Sequence, residues 1–156
     1  MSQTFEDILQ YAKHFLVSET KEQHVVLLCT GFYSIGRKPD NDICLLSDTV
    51  SRHHAQLVRV QSNAKEQYQL IDGNSDGERS RNGVRVNDQP ATCKLLKNQD
   101  RLSFGGVMNF TYINGADILD FLTDITPERI HNHRLLLHYQ LFLSSQDATS
   151  IMMGAS

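Results

Sequence analysis

The residues with chemistry to offer fall in three short patterns: Ile35-Gly36-Arg37, Ser51-Arg52-His53-His54-Ala55 and Ser80-Arg81-Asn82-Gly83. Arg37 carries a planar fork of donors that suits phosphate, and Gly36 before it lets a backbone come close to a ligand. The Ser51 hydroxyl and backbone N–H are both candidate donors to a phosphate oxygen, and His54, three residues on, can hold that loop through its ring nitrogens. Asn82 can bond the backbone of a neighbouring chain, and Gly83 supplies φ > 0. Taken singly, each pattern also has a plain reading: a surface arginine, a loop serine beside a satisfied histidine, a turn.

The elements that must position these residues are short strands. Val25 to Thr30 reads as a buried strand, Tyr33-Ser34-Ile35 alternates up to Gly36, and Ile43-Cys44-Leu45 resumes after the turn cluster Lys38-Pro39-Asp40-Asn41-Asp42. Ala55 to Val60 and Tyr68 to Ile71 predict a hairpin. Val84-Arg85-Val86 stops at the turn Asn87-Asp88, and Leu95-Leu96, Leu102-Ser103-Phe104 and Val107 to Ile113 complete the β region. About 9–11 short strands with turn signals between them predict a mainly β sandwich or barrel. Both ends read as helical. Phe5, Ile8, Leu9, Ala12, Phe15 and Leu16 form an apolar stripe over residues 4–17, capped by Thr4 with Asp7. Ile118 to Ile125 has helical spacing, and Thr126-Pro127 starts a helix that would bury Ile130, Leu137 and Leu141 on one face. The expected organisation is an N-terminal helix and linker over 1–23, the sandwich over 24–114, a helical extension over 115–143 and a disordered tail over 144–156.

Composition narrows the function classes. Net charge is −3 over 156 residues, with 40% apolar and 21% charged residues. That gives no global basic field for nucleic acid or an anionic membrane, so an anion site must be local. No signal peptide and no apolar run of spanning length is read, and Cys29, Cys44 and Cys93 show no C-x-x-C pair. We expect them reduced and mostly buried in a cytoplasmic protein. Ser51 with His54 lacks the G-x-S-x-G elbow, orienting acid and oxyanion loop of a hydrolase, so no catalytic residue is expected. Of His131, His133 and His138, the first two are two apart and point to different faces of a helix, so neither a metal nor a cofactor is expected.

Together, and in this order at strand–loop junctions, the three patterns resemble the forkhead-associated (FHA) domain over about residues 24–113. The resemblance implies a β-sandwich that reads phosphothreonine, here with helical N- and C-terminal extensions. Carried over by position, Arg37 would fork the phosphate, Ser51 would donate to a phosphate oxygen, and Asn82 would hold the peptide backbone. Arg52 would contact phosphate or peptide, His54 would brace the Ser51 loop, and Gly36 and Gly83 would serve backbone geometry. Arg81 stands where the family often has a Thr that lines the phosphothreonine pocket, and would either add charge to the phosphate or point away from it. The Asp72 to Arg79 loop is longer than the family's usual link, so Arg79 and Arg81 would favour an acidic residue after the phosphothreonine. The implied function is a non-catalytic adaptor in Ser/Thr kinase signalling. Its partners would be phosphothreonine-containing kinase substrates or a kinase, with neither nucleic acid nor membrane insertion. A second reading is an FHA-derived assembly protein, homo-oligomeric through its terminal helices. Thr4-Phe5-Glu6-Asp7 places an acid three residues after a threonine, the spacing of a ligand for another copy.

Overall fold

The computed structural model describes residues 7, 12–122, 125–132 and 134–139. Thr4, His133 and the predicted tail lie outside the described residues.

The strands are β1 (His14–Ser18), β2 (Val25–Leu28), β3 (Phe32–Gly36), β4 (Ile43–Leu46), β5 (Ala55–Ser62), β6 (Lys65–Asp72), β7 (Val84–Val86), β8 (Gln89–Ala91), β9 (Cys93–Leu95), β10 (Arg101–Phe104), β11 (Met108–Asn114), β12 (Ile130–His131) and β13 (Leu135–His138). They form two sheets. One runs β12-β2-β1-β11-β10-β7-β8 and the other β13-β4-β3-β5-β6-β9. Between them lies the main core, with Leu16, Val26, Tyr33, Ile35, Leu57, Tyr68, Phe104 and Phe110 among its buried members. The mainly β expectation therefore holds.

Turn chemistry sets the hairpins. Asn87 and Asp88 take φ of 52° and 65°, the paired positive values of a tight primed turn between β7 and β8. Asn63 and Ala64 do the same at 51° and 64° between β5 and β6. That hairpin is longer than its apolar residues predict, because its polar tip continues the ladder to Ser62↔Lys65.

Among the described residues, the helical extensions are not found over 14–18 and 130–138. Residues 14–18 are β1, which lies between β2 and β11 inside the first sheet. Its side chains alternate between two cores. Leu16 enters the main one, while Phe15 and Val17 join Ala12, Val25, Leu27, Ile113 and Ile118 on the sheet's other face. A strand buried on both faces is a continuous apolar run, and such a run satisfies helical spacing as well. At the other end, the helix after Gly115 is only the four residues Ile118–Phe121. Thr126 and Pro127 do open a helical turn, but it is a three-residue 3-10 turn, Pro127–Arg129. The chain then adds β12 in parallel to β2 and β13 in parallel to β4. Leu135 and Leu137 are each 1% exposed and Leu136 is 56% exposed, which is strand alternation. Arg134 secures this return by donating to the carbonyls of Pro39 and Asn41. Among the described residues, strands stand at 14–18, 130–131 and 135–138 where helices were expected, so those stretches supply no helical interface.

Among the described residues, no helix is long and apolar enough to cross a membrane. The cysteines form no disulfide with one another: Cys44 is buried, Cys29 half-buried and Cys93 exposed, so the expectation of mostly buried thiols is corrected.

Candidate functional site

The three patterns meet at one end of the sandwich. Gly36 closes β3, Ser51 to His54 lead into β5, and Ser80 to Gly83 lead into β7. Backbone bonds stitch the first two together: Arg37 N–H to the Ser51 carbonyl at 2.9 Å, Lys38 N–H to the Arg52 carbonyl at 3.2 Å, and His54 N–H to the Ile35 carbonyl at 2.8 Å. Gly36 has a steric task there. A Cβ on it would stand 2.2 Å from the Arg52 carbonyl oxygen and 2.7 Å from Asn41 Nδ2. Its close approach is thus to the Ser51–His54 loop rather than to open space. Asn41 is buried and donates to the carbonyls of both Lys38 and Arg52.

His54 is fully buried and joins the second and third patterns. The Ser51 backbone N–H donates to its Nδ1 at 2.9 Å, and its Nε2 lies 2.8 Å from the Gly83 carbonyl. An Nδ1 that accepts fixes the neutral tautomer with the proton on Nε2, which then donates to Gly83. Burial pushes the His54 pKa below its ordinary value, against the opposing pull of the Gly83 carbonyl and Asp72. The expected backbone donor at Ser51 is therefore already used. The hydroxyl remains: Ser51 Oγ accepts the Arg81 N–H at 3.0 Å and keeps its own proton to give.

Arg37 is half-buried, and its Nε donates to the Val50 carbonyl at 3.1 Å. This fixes the guanidinium while leaving its terminal nitrogens without a partner among the described residues. The Asn82 side-chain nitrogen donates to the Thr49 carbonyl at 2.7 Å, bridging the third pattern to the loop before the second. Gly83 adopts φ of +79°, the left-handed region its position requires. Ser80 accepts the Gly83 N–H and donates to Asp72 at 2.5 Å, so the loop between them leaves and returns at one point. Asn74 closes that excursion by accepting the N–H groups of Asp76 and Glu78.

A cleft of about 320 Å³ opens at this junction, lined by Arg37, Asp48, Thr49, Val50, Ser51, Arg52, Glu78, Arg79, Arg81 and Asn82. A second of about 300 Å³ adjoins it through Ser51, Arg52, Glu78 and Arg79 and adds Lys38, His53 and Asn74. Arg37, Lys38, Arg52, Arg79 and Arg81 thus face two carboxylates, Asp48 and Glu78, in a chain of net charge −3. The basic side chains are gathered locally, where an anion site would have to lie in a chain without a global basic field. A phosphate, with about two negative charges and three acceptor oxygens, matches it. A smaller cleft of about 220 Å³ at Phe32, Ser34, Gln56 and Asp76 holds none of the predicted site residues.

All five residues assigned to the ligand (Arg37, Ser51, Arg52, Arg81 and Asn82) line this cleft, and the three assigned to the loops (Gly36, His54 and Gly83) lie behind it. Sequence reasoning missed Thr49 and Val50, which act through carbonyls and carry no side-chain signal. It also missed Asp48 and Glu78, and it gave Asn41 no more than a turn. His131 is paired with His24, with Nε2 to Nδ1 at 3.0 Å. Among the described residues, no group of three or more His, Cys, Asp or Glu is placed to hold a metal.

A family model for the FHA domain matches residues 33–105. The oxoglutarate dehydrogenase inhibitor of Corynebacterium jeikeium is 36% identical over 81 residues, which is 52% of this chain and 49% of that protein. Matches to the first curated relatives span only 11% to 49% of their length. Among solved structures, the Slr1951 protein from Synechocystis is 35% identical with a TM-score of 0.58, covering 64% of this chain and 96% of that one. EmbR of Mycobacterium tuberculosis, solved with a low-affinity phosphopeptide, is 30% identical with a TM-score of 0.56, covering 67% of this chain and 25% of that one. By its patterns, its sandwich and these relatives, the chain belongs to the FHA domain family.

Proposed function

We propose that this chain is a non-catalytic, phosphothreonine-reading adaptor that works downstream of Ser/Thr kinases. The observation that carries this is one basic cleft lined by both Arg37, its guanidinium fixed through Nε, and Ser51, whose hydroxyl keeps a proton to give. In this reading Arg37 forks the phosphate, Ser51 Oγ–H donates to a second oxygen, and Arg52 and Arg81 add charge. Asn82, held by the Thr49 carbonyl, presents its amide to the ligand backbone. Arg79 in the adjoining cleft favours an acidic residue after the phosphothreonine. His54 holds the Ser51 and Gly83 loops at the spacing these contacts need.

Two likenesses support the reading: the family is one that reads phosphorylated motifs, and the EmbR structure contains a phosphopeptide. The partners are then phosphothreonine-containing proteins, kinase substrates or a kinase among them, in the cytoplasm, where free thiols persist. The test is capture from oriented phosphothreonine, phosphoserine and unphosphorylated peptide libraries. Selective capture from the first is expected, and equal capture from all three, or none, would overturn the reading.

A further inference from the structure

We propose that the cleft between the end of β13 and the loop after β4 is a second subsite, taking a Lys or Arg side chain of the bound peptide beside its phosphothreonine. This rests on the phosphothreonine reading above. The cleft has a volume of about 300 Å³ and is lined by Arg37, Leu46, Ser47, Asp48, His138 and Tyr139. Arg37 and Asp48 also line the phosphate cleft, so these two residues form the ridge between the two spaces. A peptide whose phosphate sits at Arg37 carries a neighbouring side chain over that ridge.

With Arg37 engaged by the phosphate, Asp48 is the one carboxylate in this lining. Asp48 is exposed and makes no ion pair or hydrogen bond through its carboxylate with any described residue. Beside a phosphate such a carboxylate is repulsive; beside a cationic neighbour it is attractive. It therefore favours a basic flank and rejects an acidic one. The walls suit a long basic side chain. Leu46 can cover its aliphatic stem, and the aromatic side chain of Tyr139 lines the same space.

The C-terminal strand builds this space. The register His138↔Leu46 sets His138 and Tyr139 beside the strand end that runs into Ser47 and Asp48. Buried Leu135 and Leu137, with Arg134 on the Pro39 and Asn41 carbonyls, hold that wall in place.

The experiment compares phosphothreonine peptides that differ only by Lys, Ala or Glu at each flanking position, for the wild-type chain and for Asp48→Lys, with melting temperatures to confirm both fold. At one position Lys should bind about three- to fivefold tighter than Ala and Glu weaker than Ala, as for a partly exposed ion pair. Asp48→Lys should invert that order, and Tyr139→Ala should shrink the Lys preference. A wild-type chain that binds phosphopeptides with no Lys preference at any position would overturn the subsite alone, as would a Lys preference that survives Asp48→Lys. Failure to bind any phosphopeptide would overturn the phosphothreonine reading and the subsite with it.

Discussion

The Ser51 backbone N–H donates to Nδ1 of His54 at 2.9 Å, deep enough that the imidazole has no exposed surface. Through the other nitrogen the same ring holds the Gly83 carbonyl at 2.8 Å. His54→Ala leaves both groups without their partner, at roughly 1–3 kcal/mol each. The melting temperature should therefore fall by several degrees, and an unchanged one would remove the bracing role.

The two loop glycines should behave differently. Alanine at Gly36 drives a methyl into the Arg52 carbonyl at 2.2 Å, and neither that backbone nor buried Asn41 can step aside. Gly36→Ala should cost about 1–3 kcal/mol or more and displace the Ser51 loop, weakening phosphopeptide binding as well. At Gly83 nothing lies within 4 Å of the added methyl, so Gly83→Ala should cost only the left-handed conformation, about 1–2 kcal/mol. Thermal melts of the pair check the ranking, and equal stability of Gly36→Ala and wild type would contradict it.

Strand β1 gives a third prediction. Leu16 has no exposed surface in the main core, and Leu16→Ala should cost about 2–5 kcal/mol. A chain starting at residue 24 loses the strand that joins β2 to β11, and should show no cooperative melt. A native-like melt of that truncation would contradict the central place of β1.

Acid should destabilise the fold. His14, His24, His54 and His131 all have pKa values lowered from the ordinary 6.5, in each case chiefly by burial. Below about 6.5 the unfolded chain takes up protons that the native histidines resist, so the native state binds fewer. Their contribution is complete above that value and is lost as pH falls through it toward the lowered native values. Melting temperatures at pH 7.5 and pH 5.5 should therefore differ, with the lower at pH 5.5; a flat or reversed dependence would contradict the assignment.

How much of this was legible in the sequence follows from where the constraints lie. The Asn87-Asp88 turn and Gly83 beside Asn82 are visible because their backbone needs narrow residue choice locally. The three site patterns are visible because they sit at strand ends, the first closing β3 and the other two leading into β5 and β7. Phe15-Leu16-Val17 and Leu135-Leu136-Leu137 were misread as helix. A short apolar run fits both periods, and only the partner strands, β2 with β11 and β4, decide between them. The consumed Ser51 N–H was hidden for a related reason, since it depends on a ring that the fold turns back onto its own loop. Glu78 and Arg79 reach the cleft only through the path of the 73–79 excursion, and no local spacing encodes that path.

The most direct test of the account is a titration of one captured phosphothreonine peptide against wild type and Arg37→Ala, with the melting temperature of each. Arg37 is fixed by the Val50 carbonyl and is the guanidinium that faces the phosphate in this reading. Its loss should cost about 2–5 kcal/mol, ~30-fold or more in Kd, while the melting temperature stays close to wild type. Full affinity retained in Arg37→Ala would contradict the site.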